Sequence, residues 1–316
     1  MSPNDFAAKA GRARGERRAQ AARLIGRYAK VRGAGRLVQL LYSPNRRRMS
    51  YVETEVEAWD GTKYRVDTRS FLEWSLYVYR AYEADLQRVM MRCLKPGDLF
   101  VDCGANVGIH ACAMARHVGP TGYVIAIEPI AELADKLERN CALNELRNVS
   151  VIRRAASSET GYGRIFVPVP SAANQAQASL HVRPALSTAP RVVEFDTLDN
   201  MLAEQAPRPV SLIKIDTEGH ELRALQGAVD TIERWRPTLV FEYEPDAYRA
   251  AGIEWGEVEE FLKRDLRYDL GQVMRGARIG TIRERAPGAQ SMIFGSWNGD
   301  SRRRSSTFEG RSRTRA

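Results

Sequence analysis

The segment Leu99-Phe100-Val101-Asp102-Cys103-Gly104-Ala105-Asn106-Val107-Gly108, followed by Glu128-Pro129, constrains this chain more than any other. An apolar strand runs into a glycine turn, a helix starts at once, and an acidic residue ends the next strand 24 positions after Gly104. That wiring belongs to the ligand-binding edge of a doubly wound α/β sheet. Glycine lets backbone approach a ligand closely, and the helix start offers free N–H groups. A carboxylate at Glu128 can accept hydrogen bonds from both hydroxyls of a ribose.

The turn also discriminates between ligands. A dinucleotide fingerprint reads G-x-G-x-x-G, and its second glycine admits the pyrophosphate. Asn106 and Ile109 stand at the second and third glycine positions, which disfavours NAD and FAD. S-adenosylmethionine carries a ribose but no phosphate, and its carboxylate and ammonium suit a polar G-x-x-x-G turn.

At 316 residues the chain can bury a full core, and one large domain with appendages is expected. No stretch approaches the roughly 20 apolar residues that span a bilayer, and the N-terminus lacks an apolar signal region. A cytoplasmic location is the expectation. Cys93, Cys103, Cys112 and Cys141 show no C-x-x-C spacing and read as free thiols. Charge is concentrated at the ends. Residues 1–48 carry a net +11 and residues 300–316 a net +4, so the middle is acidic within a total of +9. Basic arms of this kind can contact nucleic acid or an anionic membrane surface. Few aromatics interleave the arginines, and a solvated tail is at least as good a reading.

The organisation expected along the chain has four parts. Residues 1–48 form a basic arm, partly helical or disordered, and 49–98 a hairpin around Asp60-Gly61 followed by one helix over 71–94. Residues 99–297 alternate strands and helices, which argues for a parallel sheet, and carry an insertion at 161–196. Within that insertion a polar segment at 171–190 suggests a hairpin or lid. Residues 298–316 read as a disordered Arg-rich tail.

Several segments together resemble the FkbM-like family of S-adenosylmethionine-dependent methyltransferases. They are Lys95-Pro96-Gly97-Asp98 leading into the Asp102–Gly108 turn, Glu128-Pro129, Asn140 through Asn144, Thr197-Leu198-Asp199, and Ile213-Lys214-Ile215-Asp216-Thr217-Glu218-Gly219-His220-Glu221 with Leu225 and Gly227-Ala228. The resemblance covers roughly residues 80–245. It implies a class I methyltransferase Rossmann-like fold, with a seven-stranded, mostly parallel sheet, helices on both faces and the last strand antiparallel. It also implies methyl transfer from S-adenosylmethionine to a hydroxyl of a sugar, glycan or natural product.

By the same resemblance, Asp102, Gly104, Ala105, Asn106 and Gly108 contact the methionine end of the cofactor. Glu128 and Pro129 meet the ribose, Ala155 the adenine, and Asp216 the cofactor's ammonium or the substrate. A hydroxyl acceptor needs a base, and His220, Glu218 and Glu242 are the candidates, with His110 also near the first helix start. Acids in a first helical turn are also stabilising in their own right, which covers Glu221 equally well. Asp216, Glu218 and Glu242 could converge on a metal, but their spacing does not fix this and no metal is expected. Two other functions compete. One is a nucleic-acid methyltransferase using the basic ends, against which the acidic Asp216-Thr217-Glu218-Gly219 turn would repel phosphate. The other is a non-catalytic module that binds S-adenosylmethionine. The sequence defines no oligomeric state.

Overall fold

The computed structural model describes residues 3–28, 34–42, 51–168, 188–205, 208–282 and 290–298. The chain divides into two compact units, one built mainly on residues up to Tyr82 and one from Glu83 onward.

The first unit holds α1 (Pro3–Tyr28), α2 (Ala34–Leu41), the hairpin β1 (Glu53–Glu57) and β2 (Lys63–Asp67), and α3 (Phe71–Tyr79). The hairpin closes at Asp60-Gly61. Gly61 takes φ 84°, and Asp60 Oδ1 accepts the Thr62 N–H at 3.1 Å. The expected single helix over 71–94 is corrected to two. Arg80 ends α3 in the left-handed region at φ 59°, and Glu83 follows at φ 46°. Arg80 turns out because the hairpin binds it. Its guanidinium donates to Glu57 O and Glu57 Oε1, both at 2.7 Å, and the Trp59 N–H donates to its carbonyl.

The second unit begins with α4 (Ala84–Cys93), β3 (Leu99–Cys103), α5 (Ile109–Val118), β4 (Tyr123–Ile127), α6 (Ala131–Leu143) and β5 (Val149–Ile152). It continues through β6 (Ala155–Ala156), β7 (Gly161–Pro168), β8 (Thr188–Asp196), α7 (Leu198–Ala203), β9 (Val210–Ile215), α8 (Glu221–Gln226), α9 (Val229–Trp235) and β10 (Thr238–Tyr243). After α10 (Pro245–Ala251) and α11 (Trp255–Glu260), which runs on as one π-helical turn, come β11 (Tyr268–Met274), β12 (Arg278–Thr281) and β13 (Ser291–Trp297).

The main sheet has the order β12-β11-β13-β10-β9-β3-β4-β5. β3, β4, β5, β9 and β10 are parallel, whereas β13 pairs antiparallel with both β10 and β11. The chain leaves β3 toward β4 on one side and later returns through β9 on the other. The β3/β9 boundary is therefore the topological switch point, where doubly wound sheets bind ligands at the strands' carboxyl ends. This order, with its antiparallel β13, is the class I methyltransferase Rossmann-like fold. The expected seven strands become eight. β12 adds an edge hairpin whose residues are half-buried or exposed, so no apolar run announces it.

Parallel strands covered on both faces should read as continuous apolar runs. Ile213, Ile215, Leu225, Val240 and Phe241 are fully buried around the sheet. Each side chain of that kind contributes roughly 1.5–3 kcal/mol on burial. The 161–196 stretch supplies β7 and β8, which join β6 in a separate three-stranded sheet. Most of the polar 171–190 segment, and the Arg-rich tail from residue 299, lie outside the described residues. No helix among the described residues is long and apolar enough to cross a membrane. The four cysteines are free, with Cys112 Sγ and Cys141 Sγ 3.7 Å apart between α5 and α6.

The Thr197-Leu198-Asp199 segment owes its pattern to capping. Thr197 accepts the Asn200 N–H at the start of α7. Asp199 reaches the start of α9, accepting the Asp230 and Thr231 N–H groups at 3.0 and 2.8 Å. Gly227 completes the junction by close approach, since a Cβ there would lie 2.0 Å from Ser157 O. Backbone cannot yield as a flexible side chain does, so Gly227→Ala should destabilise the fold by about 1–3 kcal/mol. A urea unfolding midpoint equal to that of wild type would contradict this.

Candidate functional site

The loops after β3, β4 and β9 meet the end of β10 at the carboxyl edge of the main sheet, and backbone sterics decide how closely they do so. The turn after β3 uses Gly104 at φ 78°, Asn106 at φ 53° and Gly108 at φ 85°. Asn tolerates the left-handed region better than most side chains. Gly104 has a second constraint, because a Cβ there would lie 1.9 Å from the Asp216 carbonyl oxygen. Only glycine lets the turn after β3 and the end of β9 come so near. Gly104 and Asn106 are the half-exposed members of the turn, whereas Ala105 and Gly108 are buried.

Glu128, just past β4, fastens that turn to the next. Its Oε2 accepts the Asn106 N–H and its Oε1 the Ile130 N–H, both at 2.9 Å. It is buried, and burial pushes its carboxyl up from the usual 4.5 to about 7 against the pull of those two N–H donors. Each carboxylate oxygen takes about two donors, so both keep capacity for a further hydroxyl. Pro129 beside it is half-buried. Ala155 lies in β6 within a small apolar cluster with Ile130, Ile165 and Val193.

Asp102 is fully buried, and neither of its oxygens makes a hydrogen bond. Its counter-charge is Lys214 Nζ at 3.4 Å. The register explains the meeting, since Asp102 and Lys214 are cross-strand partners of β3 and β9. The same ammonium donates to Asp216 Oδ2 at 3.3 Å. Burial opposes the charge on Lys214, but Asp216 and Asp102 more than offset this and hold its pKa above the usual lysine value. Asp102 is thus enclosed within β3, with its charge paired to Lys214. Sequence reasoning gave Lys214 no role, although a lysine inside the apolar run Leu212-Ile213-Lys214-Ile215 is itself a signal.

Asp216, Glu218 and Glu242 do converge. One carboxylate oxygen from each lies within 4.8 Å of the others. Side chains alternate along strands, so Lys214 and Asp216 share a face, as do Val240 and Glu242. The Val240–Lys214 pairing of β10 with β9 puts both pairs on the same face. Glu218 reaches the cluster from a loop with φ 56° at Glu218 and 100° at Gly219. Glu221 holds that loop. It is fully buried and accepts the Thr217 N–H at 2.8 Å and the Gly219 N–H at 3.0 Å. Glu242 is 5% exposed, and its carboxyl is held well above the usual range by burial and by Asp216 and Glu218. Two like charges 4.8 Å apart repel by about 3.5 kcal/mol at an effective dielectric of about 20. His220 Nε2 lies 3.1 Å from Ser157 Oγ. His110 Nε2 pairs with Glu83 Oε2 at 3.1 Å.

Sheet order and switch-point loops define the class as S-adenosylmethionine-dependent methyltransferases. Within it, the chain belongs to the methyltransferase FkbM domain family, which matches residues 102–270. S-adenosylmethionine is the cofactor of this class, and the half-exposed glycine cradle and Glu128 carboxylate suit it. The chain is similar to the hexuronic acid methyltransferase AglP of Haloferax volcanii, at 29% identity over 48% of this chain and 58% of that protein. It thus spans little more than half of that relative. It is also similar to the methyltransferase sdnD of Sordaria araneosa, at 29% identity over 49% of this chain and 70% of that protein. Among solved structures it matches the methyltransferase FkbM of Methylobacillus flagellatus with a TM-score of 0.42 and 19% identity, covering 64% of this chain and 44% of that one.

Two outcomes follow from the buried charges. Lys214→Met would leave Asp102 buried without a counter-charge and should cost about 3–5 kcal/mol, read by urea unfolding. Glu128 titrates higher in the folded protein, so its contribution to stability is full below pH 4.5 and is lost as pH rises through about 7. In the cofactor-free protein, Glu128→Gln should flatten the fall of unfolding free energy across that window. Equal slopes for variant and wild type would assign the dependence to other groups.

Proposed function

We propose that this methyltransferase transfers a methyl group to a hydroxyl of a sugar, glycan or natural product. The observation that carries the reading is the carboxylate cluster of Asp216, Glu218 and Glu242, which adjoins the cofactor turn at the close approach of Gly104 to Asp216. The likeness to a hexuronic acid methyltransferase supports a sugar-type acceptor.

Bound S-adenosylmethionine supplies an electrophilic methyl on a sulfonium whose departure as a neutral thioether needs little assistance. The chain's tasks are then to bind, to align and to take a proton. Glu128 accepts the two ribose hydroxyls, with Pro129 shaping that turn. Gly104, Asn106 and the backbone of Ala105 and Gly108 border the methionine end. Ala155 lines the adenine side, next to Ile130. Asp216 faces the ammonium or the acceptor, steadied by Lys214 and, through it, by Asp102. Alignment of the acceptor oxygen with the methyl carbon can supply much of the rate.

The acceptor proton goes to the carboxylate cluster. Of the three candidate bases, Glu218 and Glu242 lie in it, whereas His220 is engaged with Ser157. Base catalysis of this kind is typically worth about a hundred-fold or more.

The test combines binding with product chemistry. Calorimetric titration should show saturable binding of S-adenosylmethionine and S-adenosylhomocysteine without NAD, and Glu128→Ala should weaken it about tenfold or more. Transfer of labelled methyl to a panel of sugars and uronic acids should give an alkali-stable ether. Label released by mild alkali would mean a carboxyl ester and would overturn the hydroxyl assignment.

A further inference from the structure

The sequence spacing assigns no metal, but the folded chain gathers three carboxylates at one place, and one of them is incompletely satisfied. Glu242 is 5% exposed. Its Oε1 accepts from Gln290 Nε2 at 2.5 Å, whereas its Oε2 is buried with no hydrogen-bond partner. That side chain supplies one of the three oxygens within 4.8 Å of each other, the other two coming from Asp216 and Glu218. A buried carboxylate oxygen without a donor is costly, and native proteins seldom leave one so. The nearby cation does not answer the need. Lys214 Nζ is divided between Asp102 at 3.4 Å and Asp216 at 3.3 Å, and no ion pair reaches Glu242 among the described residues.

We propose that Asp216, Glu218 and Glu242 form a binding site for a hard divalent cation, Mg²⁺ or Mn²⁺. The donor set is all oxygen, with neither imidazole nor thiolate, which selects this class over zinc or copper. The burial gradient suits it as well. Glu242 anchors the ion from inside, while the Asp216 side chain is 22% exposed and Glu218 is half-buried, leaving coordination positions open toward solvent. Mg²⁺ commonly keeps several such positions for water or substrate oxygens. The site stands beside the cofactor turn. Its role, which rests on the methyltransferase reading above, is to hold an acceptor that offers the target hydroxyl together with a neighbouring oxygen, as a vicinal diol or a hydroxy acid does. The cation's existence does not depend on that role.

The experiment uses the full chain and Mn²⁺ itself, with free Mn²⁺ followed by electron paramagnetic resonance and Mg²⁺ added as competitor. Glu242→Gln and Glu218→Gln keep the side-chain shape while weakening the donor, and thermal melting checks that each is folded. The result expected is one saturable Mn²⁺ site in the wild type, displaced by Mg²⁺ and weakened about tenfold or more in both variants. Glu218 enters from a loop, so its variant reports even if Glu242→Gln does not fold. The proposal is overturned if the folded wild type shows no saturable binding up to several millimolar Mn²⁺, or if a folded variant binds as wild type does. Titration of the same samples with S-adenosylhomocysteine keeps the two readings apart. Loss of cofactor binding with Mn²⁺ binding intact would strike the methyltransferase reading alone, and the reverse would strike the metal site alone.

Discussion

A fully buried lysine held between two aspartates is the interaction on which the site depends. Lys214 is the penultimate residue of β9, between Ile213 and Ile215, where hydrophobic burial alone would place an aliphatic residue. It stays charged because Asp102 faces it across the strand pair and Asp216 lies two residues on, just past the strand's end. Burying such a group without partners would be prohibitive, and with them the three become mutually dependent. The ion triad ties β3 to the start of the loop after β9. The strand that leads into the Gly104 turn and the acidic loop are thereby fixed relative to each other.

Around that triad, backbone groups do most of the positioning. Glycine at 104 permits the approach to Asp216, and the amides of Thr217 and Gly219 converge on Glu221. A carboxylate used in this way organises a loop without facing a ligand. Glu221 and Glu128 are both buried acids that collect backbone N–H groups, yet they sit on opposite sides of the switch point. Glu128 keeps acceptor capacity that the proposed reading gives to the ribose, whereas Glu221 is enclosed beneath the acidic loop. Neighbours of one residue type thus take different tasks from their place in the sheet.

Much of this was legible in the chain itself. The strand–turn–helix at 99–108, the acid at 128 and the Lys-Ile-Asp-x-Glu-Gly-x-Glu segment announce the fold and cofactor class because each is local. Elements set by distant partners were less readable. The helix expected over 71–94 breaks at Arg80 because a hairpin more than twenty residues earlier claims its guanidinium. β12 is an exposed edge, so its pattern carries no apolar signal. The convergence of Glu242 with Asp216 and Glu218 depends on the register between β9 and β10, which neither strand reveals alone. Lys214 was visible as a charge in an apolar run, but its partner across β3 could be named only from the pairing.

Glu128 joins Asn106 to Ile130 with its own two oxygens, so two loops of the pocket are braced by protein groups alone. Ordering a loop costs conformational entropy, and here that cost falls at folding and not at ligand encounter. On the proposed reading, association with the nucleoside end is then a docking into a preset socket. Differences in affinity among ligands should accordingly reside in how fast they leave, since the socket presents the same mouth to each of them on arrival.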